Sequence, residues 1–251
     1  MSPALQETLP YDPFSPRRLP GISPLALEDW LIFDEAFAAQ MAERDRLLTQ
    51  QRGDVVALDA TAREAALELL DLVLGIAYPG TGDQVTRRDG VRVGIDRDDP
   101  MGTLGHLVQE DFCLLQKRGD QHVLTGAVLC FPASWMLSEK FMRPLTGIHE
   151  PVREYDDDIA ARVQRLFDGV QPARPLWRFN ALWYSDPALH QPRSSHDRRP
   201  ERHDRESAYF RSERQSVVRL PQTRAVVFSI HTFVLKRADA TRLRCAAPDG
   251  K

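Results

Sequence analysis

The sequence feature that most constrains the fold is a pair of long strand-like runs near the C-terminal end. Tyr209 to Leu220 and Ala225 to Leu235 are rich in β-branched and aromatic residues, and the four residues Pro221 to Arg224 separate them. This pattern predicts two antiparallel strands joined by a short hairpin loop. A fold for this chain must therefore contain an antiparallel sheet that includes this hairpin.

Further strand-like and helical runs precede the hairpin. His122 to Phe131 and Leu176 to Tyr184 have the composition of strands. Apolar residues recur at helical spacing in four earlier segments, which predicts helices over Leu25 to Gln50 (as a pair), Ala60 to Ala77, Thr103 to Lys117 and Asp156 to Phe167. Helices that precede and interrupt an antiparallel sheet are typical of α+β proteins. We therefore predict an α+β fold with an N-terminal helical lead-in and helical insertions.

Composition divides the chain into four parts. Residues 1–24 contain six of the 18 prolines and predict an extended arm that packs on the body. Residues 25–80 form the helical lead-in, residues 81–240 the α+β domain and residues 241–251 a polar tail. The length of 251 residues and the hydrophobic content of 42% are sufficient for a real core, so global disorder is not expected.

The charge balance limits the classes of partner. The 33 basic and 36 acidic residues are interspersed and give a formal net charge of −3, which argues against binding to nucleic acid or a membrane surface through bulk charge. No apolar run approaches the ~18 residues of a membrane span, and the N-terminus lacks a signal-peptide pattern. Three scattered cysteines do not form a disulfide framework or a zinc site. A cytoplasmic protein is therefore expected.

The common cofactor and catalytic motifs are missing from the sequence. It has no GxGxxG after a strand, no GxxxxGK followed by Ser or Thr, and no HExxH, GxSxG, CxxC or CxxCH. A Rossmann turn, a P-loop, a CxxC cluster site and covalent haem attachment through CxxCH are therefore excluded. His196–Asp197 and His203–Asp204 repeat a pair that suits metals, but the cost of ordering their polar, arginine-rich loop argues against a metal site.

Charged residues lie inside the predicted helices and strands. Glu110 stands in the middle of the run from Thr103 to Lys117, where a solvated helix face is the simpler interpretation. Alternation in the first hairpin strand places Arg211 and Glu213 on one face and Arg214 on the other. One of these faces either borders a polar cavity or is exposed to solvent on an antiparallel sheet.

Arg178 and two histidines are further candidates. Arg178 shares a strand face with Asn180, while aromatic residues occupy the opposite, core-like face. His231 is embedded among apolar strand residues, which favours a satisfied core or edge histidine. His149 follows a strand ended by Pro132 and a short amphipathic helical turn. It either caps a turn or presents its imidazole to a pocket.

Several long segments occur in an order that resembles a known family. They are EDWLIFDEAF (28–37), ERDRLL (43–48), LVQEDFCLLQK (107–117), LTGAVLCFPASWMLSEK (124–140), IHEPV (148–152), PLWRFNALW (175–183) and FRSERQSVVRLPQTRAVVFSIHTFV (210–234). Together they resemble the haem-dependent oxidative N-demethylase-like family. The resemblance extends from about Pro13 to Leu235.

This resemblance implies a fold, a cofactor and an activity. It implies a PAS-like α+β domain, here residues 81–240, whose cavity holds haem b. The implied reaction uses dioxygen to oxidise a small secondary amine such as dimethylamine, and it releases formaldehyde. The electrons are expected from a separate reductase with flavin and iron–sulfur components fed by NADPH. The expected partners are thus the amine, dioxygen and a reductase, without nucleic acid or a membrane.

The resemblance also assigns roles to residues. His149, in the IHEPV segment, is the expected iron ligand, with His106 and His231 as competitors. Two functions of other classes remain open beside the enzyme. The chain could be a PAS-like haem or small-ligand sensor without turnover, or a scaffold with an empty cavity.

Five further residues complete the predicted site. Glu213, Arg211 and Glu110 are expected to orient the substrate or to transfer protons, because a carboxylate favours the binding of a protonated amine. Arg214 and Arg178 are expected to bind the cofactor, because inward-facing arginines can pair with haem propionates.

Overall fold

A seven-stranded antiparallel sheet lies at the centre of the computed structural model, which describes residues 3–15, 21–145, 157–195, 197 and 207–246. The strands are β1 (Ser23–Pro24), β2 (Val56–Leu58), β3 (Gln84–Thr86), β4 (Arg92–Gly94), β5 (Asp111–Arg118), β6 (Gln121–Val128), β7 (Leu176–Tyr184), β8 (Tyr209–Arg219) and β9 (Val226–Lys236). Their order in the large sheet is β1-β7-β8-β9-β5-β6-β2, and β3 and β4 form a separate hairpin.

The predicted β8–β9 hairpin is confirmed. Its pairing is the longest in the described sheet. Its register runs from Tyr209 opposite Lys236 to Arg219 opposite Val226. The loop closes where the amide of Leu220 donates to the carbonyl of Ala225 at 2.9 Å. Strand β7 also has the predicted bounds and pairs with β8 along its whole length.

Seven α-helices surround the sheet in the described part of the chain. They are α1 (Phe37–Gln50), α2 (Arg52–Val55), α3 (Arg63–Ala77), α4 (Pro100–Leu107), α5 (Leu137–Lys140), α6 (Asp157–Gly169) and α7 (Arg237–Ala246). Short 3-10 helices occupy Leu27–Asp29 and Ala60–Ala62. Local chemistry sets the start of α4, because the Asp99 side chain accepts a hydrogen bond from the amide of Gly102 and Pro100 lies in the first turn.

The helix predicted over Thr103 to Lys117 is wrong. Helix α4 ends at Leu107, and β5 follows as a central strand between β9 and β6. Phe112 packs into one hydrophobic core and Cys113 into the other. A strand that is buried on both faces has a continuous apolar sequence, which does not show the alternation that distinguishes a strand from a helix.

Two large cores cover the two sides of the sheet, and a third, smaller cluster packs against the N-terminal residues Leu9, Tyr11 and Phe14. The larger core joins α1, α3 and α4 to the sheet and includes Trp30, Leu47, Leu69, Leu104, Phe112, Leu114, Val128 and Val227. The second core joins α5 and α6 to the opposite side and includes Leu137, Phe167, Cys113, Leu115, Ala127, Val226 and Ile230. These layers confirm the α+β class. Within the described ranges, no helix combines the length and the apolar content that crossing a membrane requires.

Candidate functional site

Strands β7, β8 and β9 carry different polar residues on their two faces. Asn180 lies opposite Glu213, which lies opposite Thr232 on the next strand. Because directly opposed residues share a face and neighbours along a strand alternate, one face carries Arg178, Asn180, Leu182, Arg211, Glu213, Gln215 and Thr232. We call it the polar face. Arg214 and His231 are opposite one another on the other face, which we call the arm face because the N-terminal arm packs there.

Glu213 is held at the centre of the polar face. Its Oε1 receives a hydrogen bond from Nε of Arg211 and its Oε2 one from Nε2 of Gln215, both at 3.3 Å. The carboxylate also lines a crevice of about 10 Å³ with Asn180, Leu182, Tyr184 and Arg211. Such a crevice holds roughly one water molecule. A small polar group could therefore contact this carboxylate.

Arg211 is a buried connection rather than an exposed cation. Its Nη1 donates to the carbonyl of Leu189 at 2.9 Å, and its Nη2 donates to the carbonyl of Phe131 at 2.7 Å. These bonds join β8 to the chain after β6 and to the chain after β7. The interpretation of this strand face as solvent-exposed is wrong at this position, because Arg211 is only 2% exposed.

Two polar atoms on the polar face are buried without a hydrogen-bond partner. They are Nε of Arg178 and Oγ1 of Thr232, and they lie on the strands that flank Glu213. Burial lowers the pKa of Arg178. An unsatisfied buried polar group costs about 1–3 kcal/mol, so each of these atoms indicates where a ligand or water would be bound.

Glu110 lies on the arm face in a buried charge cluster. Its Oε1 receives the amide of Ile32 at 2.8 Å and lies 3.0 Å from Nδ1 of His231. Gln109, Glu110 and Asp111 are all at most 1% exposed. The prediction of a solvated helix face for Glu110 is therefore wrong.

His231 is a satisfied core histidine, as its apolar surroundings predicted. Its Nε2 lies 3.1 Å from Oδ2 of Asp34, and the residue is 2% exposed. Burial by itself would lower the pKa of His231, but the hydrogen bonds and charges of Asp34 and Glu110 outweigh it and raise that pKa to about 9. Both ring nitrogens are occupied, so the ring offers no free nitrogen to an iron.

The remaining predicted residues are dispersed. Arg214 donates from Nη2 to the carbonyl of Asp29 at 2.8 Å, and its guanidinium carbon lies 5.3 Å from the centre of the Trp177 ring. His106, in α4, places Nδ1 2.6 Å from Oδ1 of Asp45. His149 lies outside the described residues. Among those that are described, no group of three or more His, Cys, Asp or Glu residues could hold a metal ion.

The structure therefore brings together only part of the predicted set. Glu213, Arg211 and Arg178 share the polar face, whereas Glu110 and Arg214 belong to the arm face. Sequence reasoning missed Thr232. The predicted hairpin contained the signal for it, because a loop closed between Leu220 and Ala225 aligns Thr232 with Glu213.

The fold and this polar face define an α+β protein with a candidate ligand surface on an antiparallel sheet. Comparison with protein families identifies it further. The family described as haem-dependent oxidative N-demethylase, alpha subunit-like, matches residues 21–244. The chain belongs to this family.

Proposed function

We propose that this protein is a haem-dependent oxidative N-demethylase that uses dioxygen to oxidise a small secondary amine. Family membership supports the class of enzyme. The observation that carries the proposal is the pair of unsatisfied buried atoms, Arg178 Nε and Thr232 Oγ1, on either side of the held carboxylate of Glu213.

The polar face has residues that suit haem b. Haem presents a flat apolar ring with two carboxylates, and a guanidinium pairs well with a carboxylate. Arg178 would bind a propionate. Leu182, which is 51% exposed, would contact the ring. The haem would lie over this face, because the crevice beside Glu213 has space only for a small group. When bound, the haem would supply the activation of dioxygen.

Glu213 would bind the amine. A secondary amine carries a positive charge at neutral pH, and a carboxylate in a partly dry site attracts it strongly. Arg211 and Gln215 hold the two carboxylate oxygens, so the orientation of Glu213 is fixed before the substrate arrives. The same carboxylate would accept the ammonium proton, because oxidation next to nitrogen requires the neutral amine.

Glu110 and Arg214 have structural roles in this proposal. Oε1 of Glu110 accepts the amide of Ile32 and contacts His231, while its Oε2 is buried without a partner, and Arg214 donates to the carbonyl of Asp29. Both lie across the sheet from Glu213. His149 remains the expected iron ligand on the matching IHEPV segment. The PAS-like architecture and the supply of electrons by a separate NADPH-fed reductase are proposed on the family resemblance alone.

A comparison of Glu213→Gln with Glu64→Gln tests this function. Glu64 is an exposed residue of α3, and it makes a matched control. The wild type and Glu64→Gln should bind haem and release formaldehyde from dimethylamine when electrons are supplied. Glu213→Gln should keep the haem spectrum and lose formaldehyde release. Formaldehyde release by Glu213→Gln at the wild-type rate would contradict the role of this carboxylate. Haem binding without turnover in the wild type would favour the sensor.

A further inference from the structure

Each ring nitrogen of the buried His231 faces a carboxyl group. Nδ1 faces Glu110 Oε1 at 3.0 Å and Nε2 faces Asp34 Oδ2 at 3.1 Å. A carboxylate only accepts hydrogen bonds, so each ring nitrogen must carry a hydrogen for both contacts to be attractive. A neutral ring has one hydrogen and would turn a lone pair towards one of the two carboxylates. With both carboxyl groups ionised, the arrangement therefore favours the imidazolium.

This cluster connects directly to the N-terminal arm, residues 3–15. Gln6 is fully buried, and its Nε2 donates to Oδ2 of Asp34 at 2.8 Å. Its backbone amide donates to the carbonyl of Val234, and its Oε1 accepts from the amide of Val234, both at 2.9 Å. Asp34 thus receives both the arm and the histidine. The position of the arm on β9 depends on the same carboxylate that His231 neutralises.

Aromatic packing places the rest of the arm over the sheet. The Tyr11 ring stacks on Phe179 with a centroid distance of 4.8 Å, and the Phe14 ring lies 5.2 Å from that of Phe210. Tyr11 also shares a hydrogen bond with Ser212 at 2.9 Å. Release of the arm would therefore expose a cluster of aromatic rings on β7 and β8.

The charges that face His231 come from four neighbouring elements. Asp34 approaches from the loop 30–36 before α1, and Glu110 from the residues before β5. Arg214 lies directly opposite on β8. Arg44, from α1, acts on Glu110 at longer range but is paired with Asp111 at 2.7 Å. His231 is thus the only cation in hydrogen-bond contact with both Asp34 and Glu110 within the described ranges.

We propose that the imidazolium of His231 is a latch that fastens the N-terminal arm and the loop 30–36 to β9, and that loss of its proton releases both. The direction follows from the contacts: the folded state favours the charged ring, so the latch is closed at neutral pH. It opens as the pH rises through about 9, the value to which the two carboxylates raise the pKa of His231. Once released, the ring reaches water and no longer holds the proton as tightly.

Hydrogen–deuterium exchange measured by mass spectrometry tests the latch in the full-length chain. Labelling times are scaled at each pH to keep intrinsic exchange constant, so any remaining change reports opening. Peptides that cover residues 3–15 should lose protection with a midpoint near pH 9, whereas peptides from the β5–β6 hairpin should stay protected. Arm protection that does not change between pH 7 and pH 10.5 would overturn the proposal.

Two variants separate the latch from general loosening. Asp34→Asn removes one of the two charges that favour the imidazolium and should lower the midpoint by about one unit or more. His106→Gln, which removes a histidine paired with Asp45 outside this cluster, should leave the midpoint unchanged. If Asp34→Asn unfolds, an NMR titration of the His231 ring in the wild type decides. Ring titration that does not coincide with arm release refutes the latch, as does an unchanged midpoint in folded Asp34→Asn.

Discussion

Replacement of Asp111 by asparagine should be among the most destabilising single changes in the core. Oδ1 of Asp111 pairs with Nη1 of Arg44 at 2.7 Å and accepts the amide of Cys130 at 2.8 Å. Its Oδ2 accepts the amide of Phe131, also at 2.8 Å. Both charged side chains are at most 1% exposed. The carboxylate thus neutralises a buried guanidinium and also accepts hydrogen bonds from two backbone amides.

The magnitude follows from these three contacts. An unpaired buried guanidinium costs about 3–5 kcal/mol, and one amide left facing the new NH₂ group costs about 1–3 kcal/mol more. Asp111→Asn should therefore lower the free energy of unfolding by roughly 4–8 kcal/mol, a large part of the ~5–15 kcal/mol of a typical domain. Adding Arg44→Met removes the uncompensated charge and should recover about 1–3 kcal/mol relative to Asp111→Asn alone.

Urea unfolding followed by circular dichroism measures these differences. The exposed pair of Arg63 and Asp98 provides the control, because Asp98→Asn should change the free energy of unfolding by less than about 1 kcal/mol. A loss below about 1 kcal/mol for Asp111→Asn would refute the reasoning. So would a double variant whose loss equals the sum of the two single losses, because coupling between the two charges would then be absent.

Three further predictions concern the two faces of the sheet. Thr232→Val removes a buried hydroxyl that has no partner. The free energy of unfolding should therefore stay within about 1 kcal/mol of the wild type or rise, while the affinity for the amine should fall. A large loss of stability in urea would contradict this. The folded-state pKa of His231, about 9, exceeds its ordinary value of 6.5. The protonated ring should therefore stabilise the folded state by roughly 3 kcal/mol, fully below about pH 6.5, and this contribution should be lost as the pH rises through 9. Urea midpoints that do not change between pH 6 and pH 10 would contradict this. His149→Ala should lose haem or shift its absorption spectrum, and a wild-type spectrum would exclude His149 as the iron ligand.

Strands β6 to β9 could be predicted from the sequence because their local patterns agree with their environment. β7 has aromatic residues on one face and polar residues on the other, and the β8–β9 loop has the length of a hairpin connection. β5 was predicted as helix because Phe112 and Cys113 are both buried, on opposite sides. Periodicity carries no information where both faces of a strand are covered.

The candidate site was harder to predict from the sequence, because it depends on which strands are neighbours. Glu110 and Glu213 are both carboxylates in runs predicted as helix or strand, and only the pairing of β5 with β9 and of β9 with β8 places them on opposite faces. The burial of Glu110 follows from a contact with His231, 121 positions away in sequence. The role of His149 rests on the family resemblance, since its residue type and neighbours fit a turn equally well.

The most direct test of the central claim is an optical titration of the purified protein with haem. The account predicts a Soret band that saturates at one haem per chain and moves on reduction and on addition of carbon monoxide. It also predicts weaker binding by Arg178→Met, because that variant removes the proposed propionate partner on the polar face. A spectrum of free haem at every ratio would contradict the claim that this chain is a haem protein. Saturable binding that is identical in Arg178→Met would contradict the placement of the haem on the polar face.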